Sequence, residues 1–405
     1  MLSNHTHRQA SQFKYTTPQR PIIFELIKNL RFSKLYKVYR VACYLTHIKI
    51  LIPYPYTCNP ITPILNGMEK KMDEVEILLE ELTNAHGPSG FEGPVRRIMQ
   101  RELSVTTASL ETDGIGSLIA RLGSNTGKPR IMMAGHMDEV GLMVKLITDE
   151  GYIKFQPLGG WLDQALINQR WIILSRLGPV QGVTGIKTPH VIAADARNQI
   201  FKRDQMFIDI GARNKEDVIQ RFGIRPGDPI APDSKFTLLG TEGFYLAKAW
   251  DDRIGLAVIV EVMKRLSINP PPNVVYGVST VQEEVGLRGA HTSSHLVEPD
   301  IGINIESGVA SDYPGITQEE SQESLGKGPA IFLHDSSMIP SIKLRDLVVD
   351  LAETNKIPIQ FDVLSGYGED GAEMQKSRSG IPAINIAVPT RYLHSHYGII
   401  CRQDF

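Results

Sequence analysis

From Asp251 to Val388 the sequence alternates helix-periodic stretches with short apolar runs, and that alternation limits the possible folds more than any other feature. Helical spacing of apolar residues predicts helices over 254–266, 286–295, 339–355 and 371–379, and the runs 273–281, 300–305, 358–363 and 382–388 predict strands between them. Such a chain is expected to form an α/β domain, a mixed sheet with helices on both faces. The same grammar appears earlier. Val75, Leu78, Leu79 and Leu82 share a helical face, Pro94 suits the first turn of a second helix, and 117–122 and 130–134 read as strands around a Gly123–Pro129 turn.

Between about residues 142 and 245 the pattern changes to short apolar runs broken by Gly and Pro, with 215–222 as the one helical stretch. A small β-rich unit is therefore expected to interrupt the α/β domain, whose parts would be 68–141 and 246–405. Residues 1–67 differ again. They hold nine Lys/Arg and one acid, whereas the rest of the chain holds 34 basic and 44 acidic residues. This segment is expected to lie outside the main fold, as upstream sequence before a start at Met68 or Met72 or, in a second reading, as a transit peptide. Its apolar stretch 41–52 is too short to span a bilayer.

The formal net charge of −2 gives no reason to expect nucleic acid or a membrane as partner. Cys43, Cys58 and Cys401 have neither zinc nor disulfide spacing, which points to a reducing, cytoplasmic location. No Gly-x-Ser-x-Gly elbow or Walker loop is present, so serine-nucleophile and Walker-type nucleotide chemistry lack support.

Polar clusters fall at the ends of the expected strands. His136-Met-Asp138-Glu139 follows 130–134, Glu283-Glu284 follows 273–281, Glu306 follows 300–305, and His394 lies a short loop beyond 382–388. Strand carboxyl ends are where open α/β sheets build sites. His-x-Asp pairs a metal-type nitrogen with a carboxylate able to orient the ring. Adjacent Glu283 and Glu284 suit a division between metal binding and proton transfer. Each signal also has a bland reading. Asp251-Asp252 could merely cap a helix, and His394 and His396 compete for one role. His291 and His295 share a helical face without the Glu of a His-Glu-x-x-His motif, and His190 and His334 are expected in polar loops.

Together, His136-Met-Asp-Glu-Val-Gly-Leu-Met, Trp250-Asp-Asp-Arg-Ile-Gly, Val281-Gln-Glu-Glu-Val-Gly-Leu-Arg-Gly-Ala and Pro389-Thr-Arg-Tyr-Leu-His resemble the M42 family of metallo-aminopeptidases. Gly159-Gly160-Trp161, Leu325-Gly-Lys-Gly-Pro and Gly366-Tyr-Gly-Glu-Asp-Gly are further landmarks. The resemblance runs from about Met68 to Phe405. It implies a zinc-peptidase-like catalytic domain carrying an inserted β-rich dimerisation domain, and two divalent metal ions, zinc or cobalt. His136 and Glu306 would bind one ion and Glu284 and His394 the other, with Asp251 bridging, Glu283 as general base and Asp138 steadying His136. Peptide substrates and self-association, as a dimer or a dodecamer of dimers, are further implications.

Two departures stand out. Family members often carry Asp where Glu306 stands, and they continue with a closing helix where this chain ends soon after His394. The alternatives are a related two-metal carboxypeptidase or deacylase and an inactive oligomeric scaffold.

Overall fold

A computed structural model of the chain describes residues 71–405 except 124–127, 195–198, 269 and 272; the expected extension 1–67 lies outside the described residues. Helices α1 (Glu74–Asn84) and α2 (Gly93–Ser104) open the fold. Asp73 and Glu76 form a reciprocal capping box at the start of α1, and Pro94 occupies the first turn of α2, where its missing N–H costs nothing. Strands β1 (Ser109–Thr112), β2 (Leu118–Leu122) and β3 (Arg130–His136) follow.

The chain then leaves the sheet. Strands β4 (Gly141–Ile147), β5 (Ile153–Leu158), β6 (Arg170–Ser175), β7 (Gly178–Gly185), β8 (Phe207–Asp209) and β9 (Pro229–Pro232) close into a barrel in the order β4-β5-β8-β7-β6-β9, with the short α3 (Lys215–Gln220) beside it. Leu142, Val144, Ile153, Phe155, Trp171 and Ile230 fill its core. Alternate residues of a barrel strand point inward; β7 leaves its other face largely open, whereas β9 is buried on both. β10 (Thr237–Leu238) and β11 (Phe244–Ala247) lead back out.

The second half supplies α4 (Trp250–Ile268), β12 (Val274–Thr280), α5 (Arg288–Val297), β13 (Ile301–Val309), β14 (Ala330–His334), α6 (Ile342–Asn355), β15 (Gln360–Val363), α7 (Asp370–Gln375), β16 (Ala383–Thr390) and β17 (Gly398–Cys401). The main sheet is mixed, in the order β1-β2-β12-β3-β13-β16-β14-β15; its four central strands β12, β3, β13 and β16 are parallel. β17 pairs with β11 in a separate three-stranded sheet.

The alternation of side chains sorts the helices onto two faces. Met133, Leu118, Ala120 and Val275 pack with α1, α2 and α4, whereas Met132, Ala134, Ile119, Val274, Tyr276 and Val278 face Val297 of α5 and Met374 of α7. The α/β architecture with helices on both faces and a β-rich insert is therefore the observed one. Some details differ from the sequence reading. β13 runs to Val309, so Glu306 lies inside the strand and not after it. His334 ends β14 and does not sit in a loop. Among the described residues no helix is long and apolar enough to cross a membrane.

Candidate active site

Register brings the polar clusters together. β12 and β3 pair Thr280 with His136, and β3 and β13 pair Ala134 with Asn304, so His136 and Glu306 stand at the same level two residues further on. Glu283 and Glu284 leave the end of β12, and His394 lies four residues beyond β16. Glu283, Glu284, Glu306 and His394 line one cleft of about 300 Å³ at the carboxyl ends of the parallel strands, and His136 is buried beside it.

Asp251 lies at the centre of the cluster. One oxygen is 2.8 Å from His136 Nε2 and the other 3.3 Å from His394 Nε2. His136 Nε2 is also 3.7 Å from Glu306 and 3.8 Å from Glu283, and His394 Nε2 is 3.7 Å from Glu284. The adjacent acid, Asp252, does other work. Fully buried, it accepts from the Gly255 backbone N–H at 2.9 Å and from that of His136 at 3.0 Å, so the capping role falls to Asp252 while Asp251 faces the cleft.

Each ring is oriented from behind. His394 Nδ1 donates to the Gly160 carbonyl at 2.7 Å, which leaves Nε2 as a lone pair aimed into the cleft. His136 Nδ1 lies 3.1 Å from the Asp138 carbonyl and 3.5 Å from its carboxylate. Asp138 also accepts from Ser89 Oγ at 2.6 Å and from the backbone N–H groups of Glu283 and Glu284, at 2.9 and 3.2 Å. One buried carboxylate thus ties the loop after β3 to the loop after β12. His396 turns the other way: it packs on Trp161 and Trp171, with Nε2 3.1 Å from the Arg170 carbonyl.

The electrostatics are those of a site built for cations. Burial pushes Glu284 up to about 8, with Asp251 adding to it, and pushes Glu283 and Glu306 well above the carboxylate range. Burial opposes charge on the rings too, but Glu306, Asp138 and Asp251 outweigh it and raise His136, while Glu284 and Asp251 bring His394 up to about 9. Asp251 is held far below its usual range, because His136 and His394 overcome its burial.

Do these residues suit a metal? His136, Asp251 and Glu284 offer donor atoms that all lie within 4.8 Å of one another. Glu284 Oε1 and Glu306 Oε2 are buried without a hydrogen-bond partner. Orphaned carboxylate oxygens beside an imidazole lone pair are what a divalent cation satisfies, and the donor set fits one.

Several contributors were invisible as such in the sequence. The Gly160 carbonyl and the buried Glu369 fall in stretches recognised only as landmarks, and backbone groups leave no residue-type signature. Lys248 gave no signal either. It is buried and donates to both oxygens of Glu139, at 2.7 and 2.6 Å.

A family profile described as M42 glutamyl aminopeptidase matches residues 116–405. The glutamyl aminopeptidase of Lactococcus lactis subsp. cremoris is 32% identical over 81% of this chain and 91% of its own length. The crystal structure of a TET aminopeptidase from Thaumarchaeota archaeon SCGC AB-539-E09 superposes with a TM-score of 0.80 at 40% identity, covering 82% of this chain and 92% of that one. Pyrococcus horikoshii TET1 peptidase, which can assemble into a tetrahedron or a large octahedral shell, gives 0.74 at 32% identity, covering 82% and 95%. A match across most of the chain, on a fold whose cleft suits a cation, makes this protein an aminopeptidase of the metal-dependent M42 family.

Proposed function

We infer that the chain removes N-terminal residues from peptides with two divalent ions, zinc or cobalt, held by His136, Asp251, Glu284, Glu306 and His394. The observation that carries this reading is the position of Asp251, whose two oxygens face the two histidines separately. His136 and Glu306 lie on one side of it and His394 and Glu284 on the other, a division suited to two ions sharing one bridging carboxylate. When bound, the ions supply electrophilic polarisation of the scissile carbonyl and acidify water.

Glu283 reaches the same space but is 3.8 Å from its nearest ring nitrogen, a position suited to a group that takes a proton from water and passes it to the leaving amine. Asp138 fixes the His136 ring and both glutamate backbones, and so acts by positioning. The β-rich insert, expected over 142–245, serves as a dimerisation domain, and larger closed assemblies of the kind known for the Pyrococcus horikoshii relative are in reach of such dimers. A cytoplasmic location accords with the chain's sparse cysteines, which lack disulfide spacing.

Glu283→Gln tests the assignment. Turnover of unblocked peptides is expected to fall at least about 100-fold, the scale of general base catalysis, while zinc content stays at the wild-type level. Loss of zinc in that variant would show Glu283 to be a ligand. Comparing a free peptide with its acetylated form separates this reading from a deacylase or carboxypeptidase.

A further inference from the structure

The cleft carries more negative charge than the reaction above uses. Asp251, Glu283, Glu284, Glu306 and Glu369 line it, and no Lys or Arg is among its described lining residues. Four of these acids have proposed tasks; Glu369 has none. It is 1% exposed. Its Oε2 accepts from Asn304 Nδ2 at 3.2 Å, and its Oε1 is buried with no partner. Although Glu369 immediately precedes α7, its side chain makes no capping bond.

The position is built from separate parts of the fold. Asn304 stands two residues before Glu306 on β13, on the same side of the strand. Tyr367 OH donates to the Ser307 carbonyl at 2.8 Å and fixes the loop that carries Glu369 against the end of that strand. An ionised carboxylate buried this deeply is costly unless a cation meets it. Of the five lining carboxylates, Glu369 is the one with neither a proposed ion nor a proposed proton transfer to serve, and its Oε1 is left to be met by something that arrives with the substrate.

We propose that Glu369 receives a protonated amine of the substrate's first residue, either its α-ammonium or the ammonium of a lysine-type side chain, and disfavours acidic first residues. This rests on the aminopeptidase reading and extends it to substrate class. An acidic side chain entering the cleft finds no Lys or Arg along its lining, and Glu369 repels it.

The test uses the zinc- or cobalt-loaded chain with Lys-, Leu- and Glu-p-nitroanilide, and measures the metal content of every variant. Chelator-sensitive turnover of the Leu substrate checks the underlying reading by itself. Calorimetry with leucinamide and with 4-methylpentanamide, which lacks only the amine, reads amine recognition without turnover. The wild type is expected to act on the Glu substrate at least about tenfold more slowly than on the others, the scale of one charge-assisted hydrogen bond.

Glu369→Gln, at full metal content, is expected to raise KM with little change in kcat. A fall of about tenfold in the Lys/Leu ratio identifies the side-chain ammonium. An equal rise in KM for both, with loss of leucinamide's advantage over 4-methylpentanamide, identifies the α-ammonium. Glu369→Asp keeps the charge and is expected to retain the substrate ranking, which guards against a variant that merely misfolds. Unchanged KM and ranking in Glu369→Gln overturn the proposal, as does a fall in kcat that follows lost metal.

Discussion

At the residue scale the cleft depends on two glycines. Gly159 has φ +84°, a conformation that costs other residues strain, and a Cβ added there would lie 2.8 Å from Glu284 Oε2. A Cβ on Gly160 would lie 3.1 Å from His394 Nδ1. Gly159→Ala is therefore expected to displace Glu284 and to weaken zinc binding roughly 10–100-fold, as read by competition with a chelator, while the fold persists. An unchanged zinc affinity would mean that Glu284 does not hold metal. This part of the site was only half legible. The proposed ligands could be picked out because each is chemically distinctive and falls near an apolar run. Gly160 works through its carbonyl, which every residue possesses, and Glu369 looks like any other acid beside a helix.

At the element scale, buried charge joins pieces that are distant in sequence. Lys248, just before α4, donates to Glu139 after β3 and to the Ala85 carbonyl after α1, at 2.9 Å. Burial lowers Lys248 to about 8. Glu139, despite its own burial, is held below the carboxylate range by Lys248 and Arg253. Lys248→Met would leave Glu139 with the Gly87 backbone N–H at 2.9 Å and Arg253 Nη2 3.6 Å away, and is expected to cost about 3–5 kcal/mol in urea unfolding. Adding Glu139→Gln should recover much of that loss, because the uncompensated charge is gone; a double variant no better than the single one would rule out charge as the cause. The sequence foretold most of these elements but not their ends. The apolar run stops at Ile305, whereas β13 continues through Glu306 and Ser307, polar but buried, because its pairing with β16 continues. β14 was missed, since five residues between Gly328-Pro329 and a serine-rich turn carry no clear period.

At the scale of the whole molecule, the cleft makes stability depend on metal and pH together. Glu284 is raised to about 8, and Glu283, Glu306 and Glu369 are raised well above their unfolded values near 4.5. His394 is raised from 6.5 to about 9. In each case the folded metal-free chain binds more protons than the unfolded one between the two values, so stability falls as pH rises through that window. His86 and His396, each lowered to about 4 chiefly by burial, act in the opposite sense between about 4 and 6.5. Chelated protein is expected to melt at a lower temperature at pH 9 than at pH 6, and zinc to remove most of that difference by taking the place of the protons. Equal melting temperatures at both pH values in chelator would show that the cleft acids do not share a common field.

The Gly160 carbonyl belongs to the loop after β5, within the insert, yet it orients a histidine that follows β16. Gly159 likewise yields its space to Glu284, which follows β12. The barrel is therefore no detachable cassette. An enzyme built on this plan cannot exchange its insert for that of a cousin without also re-tuning the cleft, because a single peptide group of the barrel sets the direction of a histidine that lines it.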